Sequence, residues 1–196
     1  VLLAGKQKMK EDNLMKTRFI LLTLVVTLCC LPGLVLAQSK AKYVGAKTCM
    51  PCHMTPKSGA AYKIWQASAH AKAFATLATP AAIEIAKKKG IADPQKDEKC
   101  MKCHDTAFGV AAAQLAPSFK PGEGVGCEVC HGAGSEYKTM QVMKDIDAGK
   151  VKGETVGLVK PDEKACVKCH NSESPTFKAF NFAEASKKIA HPTPKQ

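Results

Sequence analysis

Cys49-Met50-Pro51-Cys52-His53 opens a series of four like pentapeptides. It is followed by Cys100-Met101-Lys102-Cys103-His104, Cys127-Glu128-Val129-Cys130-His131 and Cys166-Val167-Lys168-Cys169-His170. On one helical turn, residues i, i+3 and i+4 share a face, so both thiols and the imidazole of each copy point the same way. Two thiols so placed can add to the two vinyl groups of a haem, while the histidine takes an axial position on its iron. The Cys-x-x-Cys-His run is the attachment signature of c-type haem, and four copies in 196 residues lie far beyond accident. Zinc ribbons and disulfides also use Cys-x-x-Cys pairs, but neither needs a histidine after every second cysteine. The sequence therefore assigns Cys49, Cys52, Cys100, Cys103, Cys127, Cys130, Cys166 and Cys169 to four covalently bound haem c groups. His53, His104, His131 and His170 are assigned to their irons.

Upstream of the motifs the chain reads as an address. Lys16 and Arg18 precede an apolar run from Phe19 to Leu31, Pro32-Gly33 breaks it, and Val35-Leu36-Ala37 offers the small residues that a signal peptidase inspects. Residues 1–37 are expected to be an upstream extension and a signal peptide cleaved before Gln38, and residues 38–196 one tetrahaem domain. Residues 1–14, ahead of Met15, read as an over-long gene start. The run is short for a membrane span, so no stable span is expected in the mature form. Cys29 and Cys30 sit inside it, in a poor lipoprotein context, and are taken as incidental. Because haem is attached to c-type chains after export, the expected location is periplasmic or otherwise extracytoplasmic.

Removing residues 1–37 takes five basic and two acidic residues from the chain's 29 and 17, leaving 24 and 15, a net of +9 with every remaining base a lysine. Such a charge can attract nucleic acid or an acidic lipid surface. The haem propionates would cancel most of it, so the lysines read as solvated counter-charge or as steering for an acidic redox partner, and no nucleic acid is expected. About 40 residues per haem is little peptide for a core, so the haems are expected to form much of the apolar interior, as disulfides or metals do in small scaffolds.

The fold expected is mainly α: a small multihaem c-type cytochrome of short helices and loops wrapped around its cofactors. Ala60 to Leu77 reads as one helix carrying Trp65 and His70, and Pro80 opens a second, Ala81 to Lys89, that Gly90 ends. The Pro- and Gly-rich stretch between His104 and Cys127 reads as loop, with the second and third haems as close neighbours. A further helix is expected from the His131-Gly132-Ala133-Gly134 stretch, through Met140 and Met143, to Asp147. Pro161 should open the turn that carries Cys166 to His170, and Ala183 to Ala190 should form a last helix stopped by His191-Pro192.

Four irons need up to four further ligands, and only His70 and His191 remain among the histidines. His70, among small residues in Ala69-His70-Ala71-Lys72-Ala73, is either an axial ligand or a surface histidine on a solvated helix. His191 is a ligand or the exposed end of a frayed tail. Met140 and Met143 are candidate ligands, or core filler at helical spacing.

Two flanking patterns extend these motifs: Trp65 with His70-Ala71-Lys72-Ala73 after the first, and Gly124-Val125-Gly126 before the third, which continues as Cys130-His131-Gly132-x-Gly134. With them the chain resembles the tetrahaem cytochrome c-554 family, known as the electron acceptor of hydroxylamine oxidation in nitrifying bacteria. The resemblance implies that His70 completes the haem of His170, that His191 completes the haem of His131, and that the His104 haem is five-coordinate. The family places a histidine shortly after the third motif for the first haem. Here Ser135 to Met143 contains none, so Met140 or Met143 substitutes or the His53 iron is open too.

The function expected is electron transfer between periplasmic or surface redox partners, with no catalytic residue assigned. Two alternatives stand beside it. One is a haem enzyme binding or reducing a small nitrogen or oxygen species at a five-coordinate iron, for which no distal acid, base or arginine is identifiable. The other is a subunit of a larger redox assembly.

Overall fold

The computed structural model of the chain describes residues 40–192, all within one compact unit. The expected signal peptide and its cleavage point lie outside the described residues. The chain folds as short helices in series: α1 (Met50–His53), α2 (Ala61–Ala67), α3 (Ala73–Thr76), α4 (Pro80–Lys88), α5 (Glu98–His104), α6 (Cys127–His131), α7 (Met140–Asp147), α8 (Glu163–Val167) and α9 (Phe182–Ile189). Among the described residues there is no strand. The one sheet-like contact is an isolated parallel bridge between Tyr43 and Leu115. No helix there is long and apolar enough to cross a membrane.

Local chemistry sets most helix starts. Thr79, Asp97, Thr139, Asp162 and Asn181 each turn a side-chain oxygen onto a backbone N–H of the first turn that follows, which supplies a partner for a donor the helix cannot satisfy itself. The fourth motif's helix thus begins on the Asp162 cap rather than at Pro161.

Two expected helices are shorter than the sequence suggests. The run from Ala60 to Leu77 splits, because Ser68 adopts an extended backbone (φ −80°, ψ 164°) and donates its hydroxyl to Trp65 O at 2.7 Å. His70 lies in the turn between α2 and α3, not on a helix face. After His131 the chain does not continue as helix: Gly132 takes φ +80°, and a Cβ there would stand 2.4 Å from Gly157 O. Helix resumes only at the Thr139 cap.

The peptide's own core is small. Its buried apolar residues are Ala41, Val44, Ala46, Tyr62, Leu77, Ala86, Ile91, Met101, Phe119 and Tyr137, three of them alanines. Val129 and Val167, inside the third and fourth motifs, remain 40% and 39% exposed.

Candidate haem sites

Each pentapeptide forms a helical turn, so its spacing brings two thiols and an imidazole to one side. The first three lie along α1, α5 and α6. The fourth runs off the end of α8, where the His170 N–H still donates to Cys166 O at 3.0 Å. The thiols then meet between motifs. Cys49 stands beside Cys127, and Cys103 beside Cys169, near enough for each pair to perturb the other's thiol. Cys130 lies within electrostatic reach of Cys166 and Cys169. The attachment edges therefore run first, third, fourth, second. The second and third motifs, expected as neighbours, meet at their flanks, where Thr106 donates to Gly124 O (2.7 Å) and accepts from Gly126 N–H (2.8 Å).

The imidazoles pair as well. His70 and His170 stand with ring centroids 6.0 Å apart and planes at 66°. His131 and His191 stand 5.9 Å apart at 56°. Two imidazoles bound to one metal from opposite sides, with bonds of about 2 Å, hold their centroids roughly 6 Å apart. Partial burial, then the facing His170, push the His70 pKa down. Partial burial, then His131 and His53, do the same for His191, so both rings are held in the neutral form that a metal binds. His131 Nδ1 lies 3.0 Å from Val159 O and His104 Nδ1 lies 2.8 Å from Ala73 O. An Nδ1–H donated to a carbonyl leaves Nε2 for iron and fixes the ring's direction. Phe180 stacks on the His170 ring at 4.8 Å and 16°.

The two flanking patterns singled out in the sequence touch each other. Trp65 Nε1–H donates to Val125 O at 2.8 Å, and Val125 N–H donates to His70 O at 2.9 Å. Val125 thus straps the His70 turn to the approach of the third motif. Gly124 is required beside it: its φ is +82°, and a Cβ would lie 2.6 Å from His70 O.

Sequence reasoning missed the carboxylates around the third motif. Glu128, an "x" residue of that motif, is 2% exposed. It accepts from Val44 N–H (2.8 Å), Gly45 N–H (2.8 Å) and Gly134 N–H (2.7 Å), and so ties the approach to the first motif against the third. An acidic residue inside an attachment motif, followed by Gly-x-Gly, is the signal that could have revealed it. Glu123 Oε2 accepts from Ala46 N–H at 2.9 Å, while its Oε1 is buried without a hydrogen-bond partner. Thr106 beside it has its single hydroxyl hydrogen on Gly124 O, so Oε1 can engage that oxygen only by carrying a proton itself. Burial raises the Glu123 pKa, against the Ala46 amide, and Glu128 and Asp105 add to the rise. Asp105, also buried, accepts from Gly122 N–H at 3.0 Å.

The arrangement fits haem. All eight motif thiols are free of disulfides, and among the described residues no three His, Cys, Asp or Glu side chains converge as a zinc site requires. Porphyrins seated on the thiols and imidazoles would cover the exposed valines of the motifs. Of the methionine candidates, Met140 is 63% exposed at the start of α7, and Met143 is half-buried one turn on.

Motifs, helices and paired imidazoles define a multihaem c-type cytochrome, with covalently bound haem c as its cofactor. Residues 48–132 match the family model described as cytochrome c554 and c-prime. The chain is 38% identical over 103 residues to cytochrome c-554 of Nitrosomonas europaea, a match that covers 50% of this chain and 41% of that relative. The solved structure of reduced cytochrome c554 from the same organism aligns over 76% of this chain and 78% of its own, at 26% identity and a TM-score of 0.46. Over residues 48–132 the chain is similar to the cytochrome c554 family, and its match spans about two fifths of the length of that curated relative.

Proposed function

We propose that the chain is an exported tetrahaem electron carrier, passing electrons between a donor and an acceptor outside the cytoplasm. Cys49 and Cys52, Cys100 and Cys103, Cys127 and Cys130, and Cys166 and Cys169 each anchor one haem. His53, His104, His131 and His170 bind the irons on one side. His70 completes the iron of His170 and His191 that of His131, an assignment supported by the two centroid spacings near 6 Å.

The observation that supports the reading is the run of neighbouring motif thiols from the first motif through the third and fourth to the second. Thioether-linked haems would carry an edge at each of these thiols, which supports passage of electrons along the series without catalytic acids or bases. The export reading rests on residues 16–37, and the domain assigned to the carrier is 38–196. The lysine-rich surface favours an acidic partner protein, since opposite charge speeds encounter. The test is a spectroelectrochemical titration of the haem-loaded protein with haem quantified beside it. Four haems per chain, all reversibly reduced and reoxidised, are expected, and a haem band that does not return on reoxidation defeats the proposal.

A further inference from the structure

The two imidazole pairs use both histidines that lie outside the motifs. The six histidines of the sequence are His53, His70, His104, His131, His170 and His191. With His70 facing His170 and His191 facing His131, the middle members of the series, third and fourth, each have two imidazoles. The end members, carried by His53 and His104, have one each. The resemblance already implies a five-coordinate iron at His104, so His53 is the new question.

The chain nearest the first motif is committed elsewhere. The segment leading to it, residues 42–45, is held by Glu128 and by Ser135, whose hydroxyl accepts from Lys42 N–H at 2.8 Å and whose N–H donates to Lys42 O at 3.1 Å. Tyr137, buried nearby, spends its hydroxyl on Gly132 O at 2.7 Å. Met50 and Met54 adjoin His53 in the chain, Met140 is 63% exposed, and Met143 is half-buried one turn further along α7.

We propose that the iron bound by His53 leaves its sixth position to a small exogenous ligand: a diatomic such as carbon monoxide when ferrous, or a small anion such as cyanide when ferric. This rests on the tetrahaem reading above. It goes beyond that reading by giving the series a ligand-accepting iron at its His53 end as well as at its His104 end.

The test uses the full haem-loaded protein. Haem is first counted by the pyridine haemochrome, which separates the two readings: fewer than four haems defeats the tetrahaem carrier and this inference with it. With four haems present, electron paramagnetic resonance of the oxidised protein is expected to show two high-spin and two low-spin irons. The reduced protein is expected to take up two equivalents of carbon monoxide. His191→Ala and His70→Ala should each raise that uptake from two to three. One equivalent in the parent protein overturns the proposal, whether methionine, lysine or another group fills the His53 iron. An uptake that stays at two in either variant also overturns it, because the counted site then belongs to a middle iron.

Discussion

The third and fourth attachment motifs share one pattern and are held in opposite ways. Around the third, the peptide builds the site: Glu128 gathers three backbone amides from two segments, and Gly124 and Gly132 let backbones approach where any Cβ would collide. Around the fourth, most contacts are local or exposed. Asn171 closes the turn onto Val167 O and Lys168 O at 2.9 and 3.0 Å, and Lys102 reaches Glu173 across the surface. His170 relies on rings brought from elsewhere, Phe180 and His70. The same covalent chemistry thus sits on a preformed seat in one place and on a clasp around the cofactor in the other.

The largest expected effect breaks the preformed seat. Glu128→Ala leaves three amides without partners, at about 1–3 kcal/mol for each buried group, so a loss of about 3 kcal/mol or more is expected in denaturant unfolding of the haem-loaded protein. Glu128→Gln, which keeps one accepting oxygen, should lose less. Equal losses for the two variants would show that the amides are not the cause.

A second effect sharpens the comparison through pH. Glu123, at the edge of the seat, has its folded pKa raised above the usual 4.5 by burial. The folded state then holds this proton more tightly than the unfolded one, so the contribution is fully present below the unfolded pKa and is lost as pH rises through the folded value. Glu123→Gln should flatten this fall in stability above about pH 4.5, read from denaturation midpoints across pH. Asp105, raised chiefly by burial too, leaves a residual slope. An unchanged slope in the glutamine variant would place the titration elsewhere.

The smallest effect lies at the fourth motif. Lys102 and Glu173 pair on the exposed surface, where water screens the charges, so Lys102→Ala should leave the denaturation midpoint nearly unchanged in the same assay. A midpoint shift approaching that of Glu128→Ala would mean that the fourth motif, too, is held by its peptide contacts.

What was legible in the sequence follows the same divide. The motif cysteines and histidines stand out because thioether chemistry demands a fixed spacing, and the structure brings His70 and His191 to the two motif histidines with which the resemblance paired them. The Pro80 start and the Gly90 stop carry their own local chemistry, and that helix and the last one fall within a residue of expectation at each end. The break at Ser68 was hidden because Ala60 to Leu77 is rich in helix formers, and the turn that interrupts it is anchored by Val125, distant in sequence. Glu128 was hidden because the pattern leaves its position open. The spatial order of the motifs was hidden because chain order carries no information on which thiols meet.

Ala73 contributes no side-chain chemistry, yet its carbonyl accepts the Nδ1–H of His104, three residues after His70 turns toward His170. An imidazole that donates this hydrogen bond more strongly is a better electron donor through its other nitrogen. With His70 and His104 as iron ligands, as proposed, a shift of the short turn between α2 and α3 would be felt at two irons together, by displacement at one and by basicity at the other. On that reading the backbone is a mechanical linkage between two redox centres, one that a substitution at either histidine would disturb at both.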